Sequence, residues 1–255
     1  MGFGNPLSGV TVLTYNVGNG MADPDRLSAM LSDSQAEIVG LQELAMPQAR
    51  AIEMQLAETY PYRLLMPTGF SGKGLLSKLP IESSVSIGLA PDRPDLGGRV
   101  SIHGRSVQVI VAHPRPPRVT RNGALYDDAT TNQVRTIGAM AADDPPAIVL
   151  GDFNMTHRQP LHEHLLSLGL RDAFHMLDRK GATFPSRVGH SHRVGALLSR
   201  LPMRPMVRID YVWFTAEFEV IDAWIGTRAG SDHLPVLARL AWSETAPGKD
   251  VREDQ

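Results

Sequence analysis

What most constrains this chain is a recurring unit, a short apolar run of strand length that stops at an acid, an amide or an imidazole. "VTVLTY" (10–15) runs into Asn16, "VGLQ" (39–42) into Glu43, "VIVA" (109–112) into His113 and "AIVLG" (147–151) into Asp152, with Asn154 two residues on. Near the other end, Asp232 and His233 immediately precede "LPVLARL" (234–240), and Asp210 interrupts the apolar run "RIDYVWF" (208–214). β-Branched and aromatic runs of this length suit half-buried or fully buried strands, and polar groups where strands run out into loops are where a rigid scaffold presents chemistry. Each residue alone has a turn-chemistry explanation: Asn16 and Asn154 as turn residues, Glu43 as a helix-start acid, Asp152 as the acceptor of an Asx turn. Their recurrence at strand ends is hard to produce by turn chemistry. Asp210 is different, since a carboxylate inside an apolar strand is costly unless something hydrogen-bonds it, and a histidine is the obvious partner.

Between these runs the periodicity changes to that of helices. "DPDRLSAMLSD" (23–33) predicts a helix capped by Asp23, with Pro24 at its first position and Leu27, Met30 and Leu31 on one face. Further helices are predicted over 47–60, 129–142 and 160–168, and further strands at 62–66, 74–78, 81–87, 99–103 and 218–225. Many short strands with interspersed helices and no strict βαβ alternation predict an α/β (α+β) sandwich, with two mainly antiparallel β-sheets face to face and helices on their outer faces. The competing arrangement, a doubly wound parallel sheet, lacks its glycine-rich turn, because "GNG" at 18–20 has neither the third glycine nor an acidic partner. With 42% hydrophobic and 20% charged residues among 255, one domain is expected over 9–242. A flexible N-terminus (1–8) and a disordered tail (243–255) are expected to flank it.

The absence of cysteine removes thiol catalysis, disulfides and thiolate metal sites, leaving carboxylate, amide and imidazole as ligands. The first residues lack a basic segment and an apolar segment, and no run reaches membrane-spanning length, so the expectation is a soluble chain, cytoplasmic by default and probing no membrane by a helix. The net charge is only −2, yet ten of the 25 basic residues lie in two stretches free of acids, 113–121 and 179–209, against 27 acidic residues in all. An acidic body with two basic loops is consistent with focusing an anionic substrate at one place, and equally with two solvated arginine-rich loops.

Taken in order, "TYNV" (14–17), "LQE" (41–43), "GDFN" (151–154), "RIDYV" (208–212) and "SDHLP" (231–235) resemble the endonuclease/exonuclease/phosphatase superfamily over nearly the whole chain. The resemblance implies a four-layer α/β sandwich, a divalent metal, usually Mg²⁺ with Mn²⁺ as a substitute, and phosphoester hydrolysis by in-line attack of water. On that basis Glu43 is the expected direct metal ligand, since a hard dication takes oxygen ligands, with Asn16 beside it and Asp232 as a further candidate on the metal side. Asp152 is expected to orient or deprotonate water and Asn154 to donate to a phosphate oxygen. Asp210 is expected to fix the His233 ring and favour its protonated form, while His113 is a candidate phosphate donor. Which of Asp152 and His233 is the base stays open at this stage.

The proline-rich loop "HPRPP" (113–117) fixes its own φ angles and presents Arg115 and Arg118 as candidate substrate contacts at little ordering cost, or equally as part of a rigid surface loop that touches no substrate. Its start resembles bacterial members of the superfamily more than apurinic endonucleases. Residues 186–206, with Arg193, Arg200 and several leucines, suit a substrate lid over a nucleic-acid backbone, a peripheral contact with an anionic membrane, or equally a buried hairpin with its leucines in the core. The expected partner is thus a phosphoester substrate, either nucleic acid or a lipid or small-molecule phosphate, and the expected assembly is a monomer. A phosphodiesterase or nuclease leads, followed by a lipid or small-molecule phosphatase, and then by a non-catalytic anion-binding module on the same fold.

Overall fold

A computed structural model describes residues 9–90, 92–121, 123–187 and 201–244. Two six-stranded mixed sheets dominate it. In the first, the order is β13 (Phe218–Ile225), β14 (Val236–Trp242), β1 (Val10–Asn16), β2 (Ile38–Gln42), β4 (Lys73–Ser77) and β3 (Tyr62–Met66). In the second it is β11 (Arg171–Asp172), β12 (Asp210–Phe214), β10 (Ala147–Asp152), β7 (Arg105–Ala112), β6 (Asp95–Ile102) and β5 (Ile81–Ile87). Each sheet is antiparallel except for one central parallel pair: β1 with β2, in register from Val12 opposite Ile38 to Asn16 opposite Gln42, and β7 with β10, from Gln108 opposite Ala147 to Ala112 opposite Gly151. Asn16, Glu43, His113 and Asp152 all lie at the C-terminal ends of these four strands.

Side-chain alternation then builds the layers. Val12, Ile38 and Leu75 of the first sheet meet Val109, Val111, Ile148, Leu150, Val212 and Phe214 of the second in one buried cluster between the sheets. Their neighbours along the same strands point outward. Leu13, Val39 and Leu41 pack against α1 (Pro24–Asp33) and α2 (Met46–Gln55) through Leu27, Leu31 and Ile52. On the far side, Ile110, Val149 and Trp213 pack against α3 (Asp128–Asp143) and α4 (Pro160–Ser167) through Val134, Ile137 and Leu165. The central strands are therefore covered on both faces, which is why they read as continuous apolar runs instead of alternating ones.

Local signals mostly placed these elements. Asp23 accepts the Arg26 amide at 3.0 Å at the start of α1, with Pro24 following it, and Asp127 does the same for Thr130 at 2.7 Å before α3. The helix predicted over 47–60 stops at Gln55, because the chain turns inward at Leu56 to bury Tyr60, whose hydroxyl donates to the carbonyls of Leu31 and Ala36. The strand predicted to begin at 99 begins at Asp95, whose carboxylate is satisfied by the His113 amide (3.0 Å) and the Gln133 side chain (2.7 Å). Residues 118–125 contain a small hairpin, β8 (Arg118–Thr120) and β9 (Gly123–Leu125), and Ala173–Met176 form a one-turn helix, α5; the sequence pattern announced neither. The expected N-terminal segment 1–8, most of the tail and residues 188–200 of the basic segment, with Arg193 and Arg200, lie outside the described residues. Among the described residues no helix is long and apolar enough to cross a membrane.

Candidate active site

The parallel pairs carry their polar ends to one edge of the sandwich, and the two sheets meet there. Asn16 donates its Nδ2 to Asp152 Oδ2 at 2.9 Å, a bond from the end of β1 to the end of β10. Its own Oδ1 accepts the Gly18 amide at 2.9 Å, which fixes the side chain from behind. Two site residues adopt the left-handed region: Glu43 at φ 55° and Asn154 at φ 52°. That conformation is uncommon outside glycine, with Asn the better tolerated of these two residue types, so its adoption by Glu43 in a cleft is informative. It turns both residues out of line with their strands and into the cleft. The backbone holds the turn at Glu43, whose carbonyl accepts the Asn19 amide at 2.9 Å.

Opposite them, the loop before β14 brings His233 onto Asp210 of β12. The ring Nδ1 lies 3.1 and 3.0 Å from the two carboxylate oxygens, and Phe184 packs its ring against the imidazole at 4.7 Å between centroids. Ser231 sets that loop on the first sheet, since its hydroxyl donates to the Asn16 carbonyl at 2.6 Å and accepts the His233 amide at 3.1 Å. His113 points its Nε2 toward Asp152 Oδ2 (3.4 Å) and Glu43 Oε1 (3.7 Å). A pocket of about 600 Å³ opens over these groups, walled also by Met21, Phe70, Arg93 and Asp232.

Charge is distributed unevenly in this pocket. Burial works against the charged form of His233, but the Asp210 and Asp152 carboxylates outweigh it and hold the imidazolium up to about 10. Burial also raises the Asp210 carboxyl, so the pair keeps a proton between ring and acid well above neutrality. Asp152 is pulled the other way: burial raises it, yet His233, His113 and Asn16 together bring it down to about 2. His113 is neutral, because burial pushes it down to about 4. Glu43 is raised to about 7 by burial and by the neighbouring Asp152, with Asn16 opposing them.

These values decide where a cation fits. Asp152, Asp210 and His233 have ligand atoms within 4.8 Å of one another, but a ring held protonated offers no lone pair and Asp210 is committed to it. The mouth of the cleft offers a second set of oxygens. There Glu43, Asp152 and Asp232 crowd together closely enough for the two aspartates to raise Glu43, and a cation is what relieves such crowding. The donor set is all oxygen, which fits a hard divalent ion.

Of the expected arginines, Arg115 is ion-paired with Asp92 and Arg118 lies exposed on the β8–β9 hairpin. Arg208 is buried and bidentate with Asp172, at 3.1 and 2.6 Å. Part of the basic character read from the sequence is thus used inside the fold. Asn154 donates Nδ2 to the Pro114 carbonyl at 3.0 Å, and its amide closes an Asx turn on Asp152 Oδ1 at 2.9 Å, so "GDFN" makes the turn while both residues line the pocket. Missed altogether were Arg93, 3.4 Å from His113 Nε2, Ser231, and Lys73, which is fully buried with its ammonium on the Ser71 carbonyl. A lysine at an inward position of "GKGLLS" was the available signal.

The Endonuclease/Exonuclease/phosphatase family model matches residues 13–233. Among solved structures, an endonuclease/exonuclease/phosphatase from Bacteroides vulgatus is 19% identical, with 92% of this chain and 100% of that one covered at a TM-score of 0.70. One from Leptotrichia buccalis is 16% identical, covering 91% and 100% at 0.68. D. rerio TDP2, solved in complex with a single-strand DNA product, is 17% identical, covering 91% and 99% at 0.68. No curated protein matches the chain.

Proposed function

The chain belongs to the endonuclease/exonuclease/phosphatase family of phosphoester-hydrolysing enzymes, and on that premise we propose that it is a Mg²⁺-dependent phosphodiesterase acting on nucleic acid. The observation that carries the reading is one cleft in which Asp152 held by Asn16, the Asp210–His233 pair and an oxygen-rich mouth at Glu43 and Asp232 come together. Mg²⁺, or Mn²⁺ in its place, would be held by Glu43 and Asp232 with Asn16 alongside, and would supply Lewis-acid charge to a phosphoryl oxygen. Asp152, ionised and held by Asn16, takes the proton of the attacking water as the water oxygen bonds to phosphorus and the opposite P–O bond breaks, the leaving oxygen taking its proton from solvent. The alternative base, His233, already carries its proton. Its Nε2, 3.6 Å from Asp152 Oδ2, is instead placed to donate to the phosphoryl oxygen on which charge accumulates. Asp210 keeps it protonated and oriented. Asn154, with one N–H spent on Pro114, has a second for the phosphate.

Two observations favour a nucleic-acid strand. Phe70, 62% exposed, stands at the rim of the same pocket, where an aromatic face can stack a base of any identity. A structural neighbour of the same fold, TDP2, is seen with single-strand DNA product. A second reading, hydrolysis of a lipid phosphate, is favoured by exposed Leu201, Met203 and Met206, an apolar row suited to an acyl surface. Hydrolysis of bis(p-nitrophenyl) phosphate, a diester, and of p-nitrophenyl phosphate, a monoester, with Mg²⁺ tests the reaction. The proposal expects the diester to be preferred and Glu43→Gln to raise the Mg²⁺ concentration needed; a preference for the monoester would favour a phosphatase.

A further inference from the structure

Beside the catalytic cleft lies a second pocket of about 610 Å³ that shares the Gly20 and Met21 wall with it and therefore continues it. Its charge balance differs. Where the cleft combines Glu43, Asp152 and Asp232 with Arg93, His113 and His233, this pocket is lined by the three arginines Arg26, Arg187 and Arg228 and by a single acid, Asp23. Asp23 is already engaged, since its Oδ1 accepts the Arg26 amide as the cap of α1. Arg187 is 7% exposed and is anchored on the Gly230 carbonyl, which fixes its guanidinium in the wall. Arg228 is steadied by the Met203 carbonyl at 3.3 Å. Neither Arg26 nor Arg228 takes part in an ion pair among the described residues, in contrast to Arg99, Arg115, Arg179 and Arg208, which all do. Planar guanidinium groups match phosphate oxygens bidentately, and three of them line this one concave surface.

The geometry points to a subsite for a second phosphate of the substrate, bound by Arg26, Arg187 and Arg228 while the scissile phosphate lies at Glu43, Asp152 and His233. The inference rests on the cleft being the hydrolytic site. A second phosphate is carried by the next nucleotide of a strand, and also by a small bisphosphorylated molecule. The subsite gives the enzyme a reason to prefer either over a simple diester, because binding energy from a remote part of the substrate can be spent at the reacting centre.

The test is fluorescence anisotropy of a 5′-labelled single-stranded hexathymidylate with Mg²⁺, bound to His233→Ala protein and to the same protein carrying Arg26→Ser and Arg228→Ser. Both arginines are at the surface, and matching thermal unfolding curves establish that the variants fold. Their loss should weaken binding by about tenfold or more and make the dependence of log affinity on log salt shallower by about 0.7 for each phosphate contact removed. Competition separates the two sources: displacement by unlabelled hexathymidylate alone supports a strand, and equal displacement by a nucleoside 3′,5′-bisphosphate supports a small substrate in the same subsite. Unaltered affinity and an unaltered salt slope in the double variant overturn the subsite. Hydrolysis of bis(p-nitrophenyl) phosphate by the wild type is measured in parallel. Its absence would count against the hydrolytic reading alone, because the anisotropy needs no turnover.

Discussion

At the scale of single residues, the pairing of Asp210 with His233 carries the proposed mechanism, and it makes a pH prediction. Because the acid holds the ring protonated up to about 10, hydrolysis by the wild type should persist into alkaline solution and fall as pH rises through that value. Asp210→Asn should cut turnover by at least ~10²-fold at neutral pH and bring the alkaline limb of the pH–rate profile down toward the ordinary histidine range; a limb that stays in place removes Asp210 from this role. Lys73 makes a second prediction, for stability. Its folded value of about 8 lies below its ordinary 10.5 because it is buried, so between those values the unfolded chain binds more protons and stability rises with pH. His233 acts in the opposite sense, contributing stability that is complete below 6.5 and lost as pH climbs through about 10. Comparison with Lys73→Met isolates the lysine: the wild type should gain on the variant by at most about 3 kcal/mol across that window, read from urea midpoints, and a constant difference would contradict the assignment. Asp210 was legible in the sequence because a lone acid in "RIDYVWF" demands a partner. Lys73 was not, because one buried lysine in a strand resembles an exposed one until both faces of the sheet are known to be covered.

At the scale of elements, the site depends on how closely strands approach. Gly151 lies where β10 meets β7, and a Cβ there would stand 2.4 Å from the Ala112 carbonyl oxygen. Gly151→Ala must therefore pry apart the two strands that carry Asp152 and His113. It is expected to cost about 1–3 kcal/mol, as overpacking does, and to lower turnover at temperatures where the protein is still folded. Circular dichroism melts alongside kinetics check this, and wild-type turnover in a folded variant would contradict it. Gly40 plays the corresponding part between the sheets, 2.8 Å from Leu150 Cβ if given a side chain. Capped helices such as α1 and β-branched central strands were readable because their signals are local. The end of α2 at Gln55 was not, since it is decided by the burial of Tyr60 against carbonyls more than twenty residues away. Nor were the parallel pairs at the centre of each sheet, because strand order is a property of the assembled core and not of any segment.

At the scale of the whole molecule, two sheets of related topology meet at one edge, and the polar ends of their central strands make a site that neither sheet contains alone. The bonds that join the halves there, Asn16 to Asp152 and His233 to Asp210, are also the bonds on which the proposed mechanism depends. The strand-end residues picked out in the sequence are ones the structure gathers at this edge, while the arginine-lined pocket beside it was hidden, since Arg26, Arg187 and Arg228 are far apart along the chain. A metal bound across the mouth should also stabilise the sandwich. Mg²⁺ at about a hundredfold its dissociation constant stabilises by about 2.7 kcal/mol, a rise in Tm of roughly 5–10 °C for a domain of this size; it should largely vanish in Glu43→Gln, and an equal rise in that variant would place the ion elsewhere. The central claim, that this edge hydrolyses phosphodiesters with a metal and a protonated His233, is tested most directly by nicking of supercoiled plasmid with Mg²⁺ and then Mn²⁺, beside His233→Ala protein purified identically. Nicking by the wild type that is lost in the variant and in EDTA is the predicted result. Equal nicking by both proteins, or none by either, would contradict it.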